Sequence, residues 1–264
     1  MNEEETLVLL DARSGTHAKR IYLESHIKGA RFIALESDLS KGANHPELGG
    51  RHPLPDISDF ARTLQRLGIQ RNSKIVVYDD LSGANAAART WWMLRAAGLS
   101  NVQVLDGGIQ KAIDQDIDTE SGQIQVEPGE PLTLTDWRLP LIDRNQVEEK
   151  LETGELQLID VREEERFNGH REPIDPIAGH IQGAVNIPFV ENLNDKGTFL
   201  TKEELQKKYS LFTESSYQNT AVHCGSGVTA CHTLLAFEIE DLPLPALYVG
   251  SWSEWCRNLD DQQT

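Results

Sequence analysis

The chain has 264 residues, is 39% hydrophobic and carries a formal charge of −17. That length suits one large or two ordinary domains, and the apolar fraction can fill real cores, which excludes a disordered chain. The acidic balance argues against nucleic acid or an anionic membrane surface as a partner, because both reward clustered Lys and Arg.

The opening residues, MNEEETLVLLDARSG, lack a basic leader and their apolar run is too short for a signal peptide. No apolar run approaches the ~18 residues of a membrane span. Three cysteines, at 224, 231 and 256, do not make a disulfide framework. A reducing cytoplasm is the expected location.

In chain order, residues 7–13 (LVLLDAR) read as an apolar strand ending in a polar turn, followed by His26-Ile27-Lys28-Gly29-Ala30. A second strand is expected at 74–79 (KIVVYD), then a helix, then a short strand at Val102 to Leu105 closed by Asp106-Gly107-Gly108. Residues 116–138 are polar and aperiodic and read as a linker. Leu141 to Leu151 reads as a helical lead-in. The same series then returns: residues 156–162 (LQLIDVR), His180-Ile181-Gln182-Gly183-Ala184, a strand at 220–222, a helix, and a strand at Ala246 to Val249 closed by Gly250-Ser251-Trp252. Signals recurring in one order mark a duplicated domain. Short buried strands alternating with helices predict an α/β class, each domain a mostly parallel sheet flanked by helices. The expected division is a first domain over 1–115, a linker over 116–138 and a second domain over 139–264.

The second half carries the chemistry. Strand, small-residue loop and helix start surround Cys224 with backbone N–H groups and the positive end of a helix dipole, which favours a thiolate without a metal. In the first half Asp79 stands where Cys224 does, and a carboxylate is a poor nucleophile toward sulfur, so that half is expected to be inert. The cysteine and histidine residues 223, 224, 231 and 232 lack the C-x2-C spacing of a zinc knuckle. A cysteine phosphatase needs arginine six positions after its cysteine, where this chain has Ala230. A thioredoxin-type oxidoreductase needs C-x-x-C, which is absent. His26 and His180 recur in both halves, which argues for a shared structural bond.

The paired D-x-R and H-I-x-G-A blocks, the tandem arrangement and the cysteine loop resemble the rhodanese superfamily of sulfurtransferases. The resemblance covers nearly the whole chain and implies two rhodanese-like α/β domains. The loop Cys224-Gly225-Ser226-Gly227-Val228-Thr229 is similar to that of the mercaptopyruvate-using branch, whereas thiosulfate-specific members carry basic residues at the positions of Gly225 and Ser226. The resemblance implies a Cys224 persulfide held by the N–H groups of the loop, including Gly225, Gly227, Val228 and Thr229. It implies a proton relay of Ser226, His52 and an acid, at Glu36 in this chain. Arg162 matches the arginine of the family's D-x-R. Because arginine forks bind carboxylates, Arg162 and Arg171 are expected to clamp the donor, with Arg166 a third candidate. The implied partners are a small-molecule sulfur donor and a thiol, cyanide or thioredoxin-like acceptor, with no cofactor and no metal. Thiosulfate:cyanide transfer and a non-catalytic sulfur-carrier module are the alternatives.

Overall fold

The computed structural model describes residues 6–42, 44–212 and 219–259. The chain divides into two compact units. One takes in residues up to Lys41 together with Leu54–Arg138; the other takes in Gly42–Pro53 and the chain from Leu139 onward. The short segment 42–53 therefore groups with residues far along the sequence, and His52 lies in the unit that contains Cys224.

The first unit is built on strands β1 (Leu7–Asp11), β3 (Arg31–Phe32), β4 (Lys74–Tyr78) and β5 (Val102–Val104), all parallel, in the order β3-β1-β4-β5. A separate antiparallel pair joins β2 (His26–Ile27) to β6 (Thr119–Glu120). Helices α1 (Ala18–Glu24), α2 (Leu35–Asp38), α3 (Ile57–Arg66), α4 (Ala87–Ala96) and α5 (Gly108–Asp114) complete the unit. Val8, Leu10, Ile75 and Val77 are buried in its core, and Trp91 and Trp92 on α4 are buried too. Residues 116–138 lie along this unit. The Gly122 and Gly129 N–H groups donate to the Leu23 and Gln65 carbonyls, and the Trp137 ring packs against Phe60 and Trp92.

In the second unit, β7 (Leu141–Ile142), β8 (Gln157–Asp160), β9 (Val185–Asn186), β10 (Thr220–His223) and β11 (Ala246–Tyr248) form one parallel sheet in the order β9-β8-β10-β11-β7. Its first four strands repeat the order of the first unit, and β7 adds an edge. Helices α6 (Arg144–Glu152), α7 (Glu164–Phe167), α8 (Lys202–Tyr209), α9 (Ala230–Ile239) and α10 (Ser251–Trp255) surround it. The expected lead-in is thus a short strand followed by α6, which starts with a capping box of Asp143 and Gln146. Every residue of β10 is buried, and Ala230 through Phe237 of α9 are buried as well, as expected for elements apolar all round.

In each unit the chain leaves its first long strand for a neighbour on one side, then returns to the other side. Such a switch point opens a crevice at the carboxyl ends of the two central strands. In the second unit these ends are Asp160 of β8 and His223 of β10, which pair in register. The residues that follow them, Val161-Arg162 and Cys224, are thereby delivered to one place.

Glu240, just past α9, is 2% exposed, and among the described residues neither carboxylate oxygen has a hydrogen-bond partner. Burial pushes its pKa up to about 7, with Lys202 opposing part of the rise. The native state therefore binds this proton more tightly than the unfolded chain. The associated stability is present below the ordinary glutamate pKa and is lost as pH rises through about 7. Glu240→Gln is expected to stabilise the protein by roughly 1–3 kcal/mol at about pH 8 and by little near pH 5. Denaturant titrations at the two pH values check this.

Candidate active site

Cys224 follows β10 directly and is 3% exposed. Its carbonyl accepts the Trp252 N–H at 3.0 Å, and the Gly225 carbonyl accepts the Ser253 N–H at 2.8 Å. Both donors lie in the first turn of α10, where N–H groups have no partner within the helix. In a trans peptide the C=O and the N–H of the next residue point opposite ways. Tying these two carbonyls to α10 therefore turns the N–H groups of Gly225 and Ser226 away from it. Among the described residues, no backbone carbonyl accepts from the N–H groups of Gly225, Ser226, Val228 or Thr229. The Cys224 N–H donates to the Ser251 hydroxyl at 3.2 Å. Gly227 has φ +72°, and a Cβ there would lie 2.5 Å from the Val249 carbonyl oxygen, so only glycine closes this turn.

Ser226 Oγ lies 2.8 Å from His52 Nδ1. His52 reaches the loop from segment 42–53, held by the Gly49 N–H donating to Glu254 at 2.8 Å and by Asn258 Nδ2 donating to the Glu47 carbonyl at 2.9 Å. A Cβ on Gly50 would meet the Gly250 carbonyl oxygen at 2.4 Å, so the two backbones touch. The structure thus brings together two of the three relay residues expected from the resemblance. The third, Glu36, is exposed on α2 of the first unit.

Two guanidiniums stand over the loop. A Cβ placed on Gly225 would come within 3.3 Å of Arg51 and 3.4 Å of Arg166, so a side chain at 225 would crowd both cations. Arg51 pairs with Asp175, which also accepts from Arg257 at 2.9 Å and faces Arg166 at 3.8 Å. Arg166 is forked onto Glu172 at 2.8 and 2.9 Å. Burial alone would raise the Asp175 carboxyl, but Arg51 and Arg257 outweigh it and hold it below the ordinary carboxylate range. Arg51, Arg257 and Asp175 were not legible as site residues. Arg51 and Asp175 are 124 residues apart in sequence, and only the neighbourhood of Arg51 to His52 offered a signal.

Arg162 is placed differently from the expectation. Its side chain is 1% exposed, and its donors are taken by Asp160, the Gly179 carbonyl and Glu172. The first unit holds an arginine in the same way. Arg13 forks onto Asp11 and donates to the Ser25 carbonyl. Gly179 and Ser25 are the residues before His180 and His26, and those histidines share a bond of their own. His180 stacks on Phe167 and pairs with its carbonyl; His26 stacks on Tyr22 and pairs with its carbonyl. The D-x-R and H-I-x-G-A blocks are therefore one scaffold brace, present with or without a cysteine beside it. Arg162, expected in the donor clamp, thus stands in this structure with its guanidinium bonded to buried partners. Arg171 is exposed after α7, and its N–H is bonded to the Glu165 carbonyl.

His223 is fully buried, its Nδ1 3.1 Å from the Cys224 carbonyl oxygen and its Nε2 3.6 Å from Asp160, and burial pushes its pKa down. Cys231 and Cys256 are buried as well. Among the described residues, no group of three His, Cys, Asp or Glu is placed to hold a metal ion. No described helix is long and apolar enough to cross a membrane.

A family model for the rhodanese-like domain matches this chain twice, over residues 1–114 and 143–258. The chain belongs to the rhodanese-like family. It is 42% identical over 258 residues to a probable 3-mercaptopyruvate sulfurtransferase of Pseudomonas aeruginosa, covering 96% of this chain and 90% of that protein. It is 38% identical over 237 residues to the putative thiosulfate sulfurtransferase SseB of Mycobacterium tuberculosis, covering 89% and 81%. Among solved structures it is similar to SseA of Escherichia coli, a 3-mercaptopyruvate sulfotransferase, with a TM-score of 0.79 and 32% identity over 94% of this chain and 93% of that one.

The two rhodanese-like domains differ at the loop after the central strand. In the first, Asp79 is fully buried and accepts N–H groups from Leu81, Gly83, Asn85 and Ala87 at 2.8 to 3.1 Å. Burial raises its pKa, with those N–H groups opposing the rise. This loop is an anion-binding nest filled by its own side chain. In the second rhodanese-like domain the corresponding residue is Cys224, and no carboxylate occupies the loop.

Proposed function

We propose that this rhodanese-like chain is a sulfurtransferase that takes sulfur from 3-mercaptopyruvate through a persulfide on Cys224 and passes it to a thiol or cyanide acceptor. The observation that carries this reading is the Ser226–His52 hydrogen bond inside the cysteine loop. Thiosulfate releases sulfite and needs no proton delivered to carbon; mercaptopyruvate does.

The Cys224 thiolate attacks the thiol sulfur of the donor. An S–S bond forms, the C–S bond breaks, and its electron pair stays with the carbon fragment as the pyruvate enolate. The sulfur is oxidised to the sulfane level and the carbon is reduced. The proton of the donor thiol reaches the enolate carbon, giving pyruvate and leaving the persulfide as its anion. Ser226, hydrogen-bonded to His52, is the group assigned to that delivery, since imidazole moves protons near neutral pH. Glu36 enters as the acid of the relay only through the family resemblance. The persulfide charge is met by the N–H groups of the loop. The donor carboxylate is met by Arg51 and Arg166, whose guanidiniums stand over Gly225 while they also pair with Asp175 and Glu172. A second thiolate attacks the outer sulfur of the persulfide and restores Cys224 in a ping-pong scheme. A thioredoxin-like protein is one acceptor of that chemistry, and a reducing cytoplasm is the compartment that keeps it available.

The testing experiment is a comparison of kcat/KM for mercaptopyruvate and thiosulfate on one preparation, with cyanide or a small thiol as acceptor. Mercaptopyruvate is expected to be preferred by at least about tenfold, one 1.4 kcal/mol step in transition-state binding. The reverse order would make the chain a thiosulfate sulfurtransferase. Turnover of neither donor would make it a sulfur carrier.

A further inference from the structure

Four guanidiniums cluster at the mouth of the Cys224 loop: Arg51, Arg162, Arg166 and Arg257. Three carboxylates answer them: Asp160, Glu172 and Asp175. The nearby Glu254 is turned to the Gly49 N–H. With Glu254 set aside, the difference is one positive charge, in a chain whose total is −17. Asp160 and Glu172 are tied to Arg162 and to the turn that follows α7; the Ile174 and Asp175 N–H groups donate to Glu172 at 3.0 and 3.1 Å. Asp175 is the carboxylate that faces both cations standing over Gly225. Its side chain is fully buried, so its charge is poorly screened.

We propose that Asp175 is a positioning and specificity-determining residue, which aligns Arg51 and Arg166 over the loop and sets the mouth to accept a monoanionic rather than a dianionic sulfur donor. This inference rests on the sulfurtransferase reading. Mercaptopyruvate brings one carboxylate charge to the mouth, and thiosulfate brings two. A unit of charge added or removed nearby is felt once by the first donor and twice by the second. Asp175 therefore acts on the ratio between donors, which a merely structural residue would leave unchanged.

Asp175→Asn keeps Oδ1, to which Arg51 and Arg257 both donate, and removes the charge that Oδ2 presents to Arg166 across 3.8 Å; among the described residues Oδ2 has no hydrogen-bond partner to lose. The substitution raises the mouth from one net positive charge to two. The thiosulfate-to-mercaptopyruvate ratio of kcat/KM is expected to rise by about tenfold or more, through the KM for thiosulfate, and the rise should shrink at high salt. Arg257→Gln removes a cation that does not stand over Gly225 and is expected to move the ratio the opposite way. A parallel fall for both donors, or a ratio within about twofold of wild type in both variants, would overturn the inference. If Asp175→Asn does not fold, the direction of the Arg257→Gln shift decides. If the wild-type protein turns over neither donor, the sulfurtransferase reading fails, and calorimetry of thiosulfate against pyruvate on wild type and the two variants then decides the charge argument alone.

Discussion

Cys224→Ser is expected to abolish sulfur uptake from every donor while leaving the fold intact. Serine fills nearly the same volume, and the loop is held through backbone groups that the substitution does not touch: the Cys224 carbonyl on Trp252, the Gly225 carbonyl on Ser253 and the Cys224 N–H on Ser251. What is lost is the soft, polarisable nucleophile. A hydroxyl at this position does not ionise near neutral pH and forms no stable bond to sulfane sulfur. The loss should be on the order of 10⁴-fold or more, as for other nucleophile deletions. Pyruvate release and the mass of the donor-treated protein are the readouts. A serine variant that still releases pyruvate at more than about 1% of the wild-type rate would remove Cys224 from the reaction.

Arg162→Ala is expected to act on stability. Removing the guanidinium leaves Asp160 fully buried beside His223, itself pushed toward the neutral form. Burial alone would raise the Asp160 carboxyl, and at present the charge and hydrogen bonds of Arg162 help hold it below the ordinary range. The Gly179 carbonyl and the face of Trp252, which the guanidinium covers at 5.0 Å, lose their partner too. Breaking one side of such a buried pair costs about 3–5 kcal/mol. Arg13→Ala should cost a similar amount, because the same brace is built around Asp11. Unfolding in denaturant measures both. An Arg162→Ala protein within about 1 kcal/mol of wild type, with a raised KM for the donor, would place Arg162 in the donor clamp.

Much of the fold was legible because its long strands are short apolar runs that end in a distinctive turn. Residues 7–11, 74–78, 157–160 and 220–223 are strands in the structure, each within two residues of the expected span. The two-residue strands at 31–32 and 185–186 carry too few side chains to show a period, and only their pairing reveals them. The loop and its cysteine were legible from local chemistry, and His52 from its match to the family. The arginines divided differently. A sequence cannot tell a buried, paired guanidinium from an open one, and the pairing of Arg162 shows only in the structure. The repeat itself carries a clue: the D-x-R also occurs beside Asp79, where no chemistry is expected, and it is paired in the same way in both places. Arg51 and Asp175 meet only through the return of segment 42–53 to the second unit, which no local pattern announces.

The filled nest around Asp79 has a consequence for stoichiometry. A carboxylate that already satisfies four amides of its own loop leaves no vacancy for an incoming anion. Two like halves thus amount to a single loading dock: saturating donor should add one sulfur atom per polypeptide, and the first half takes no share of the cargo.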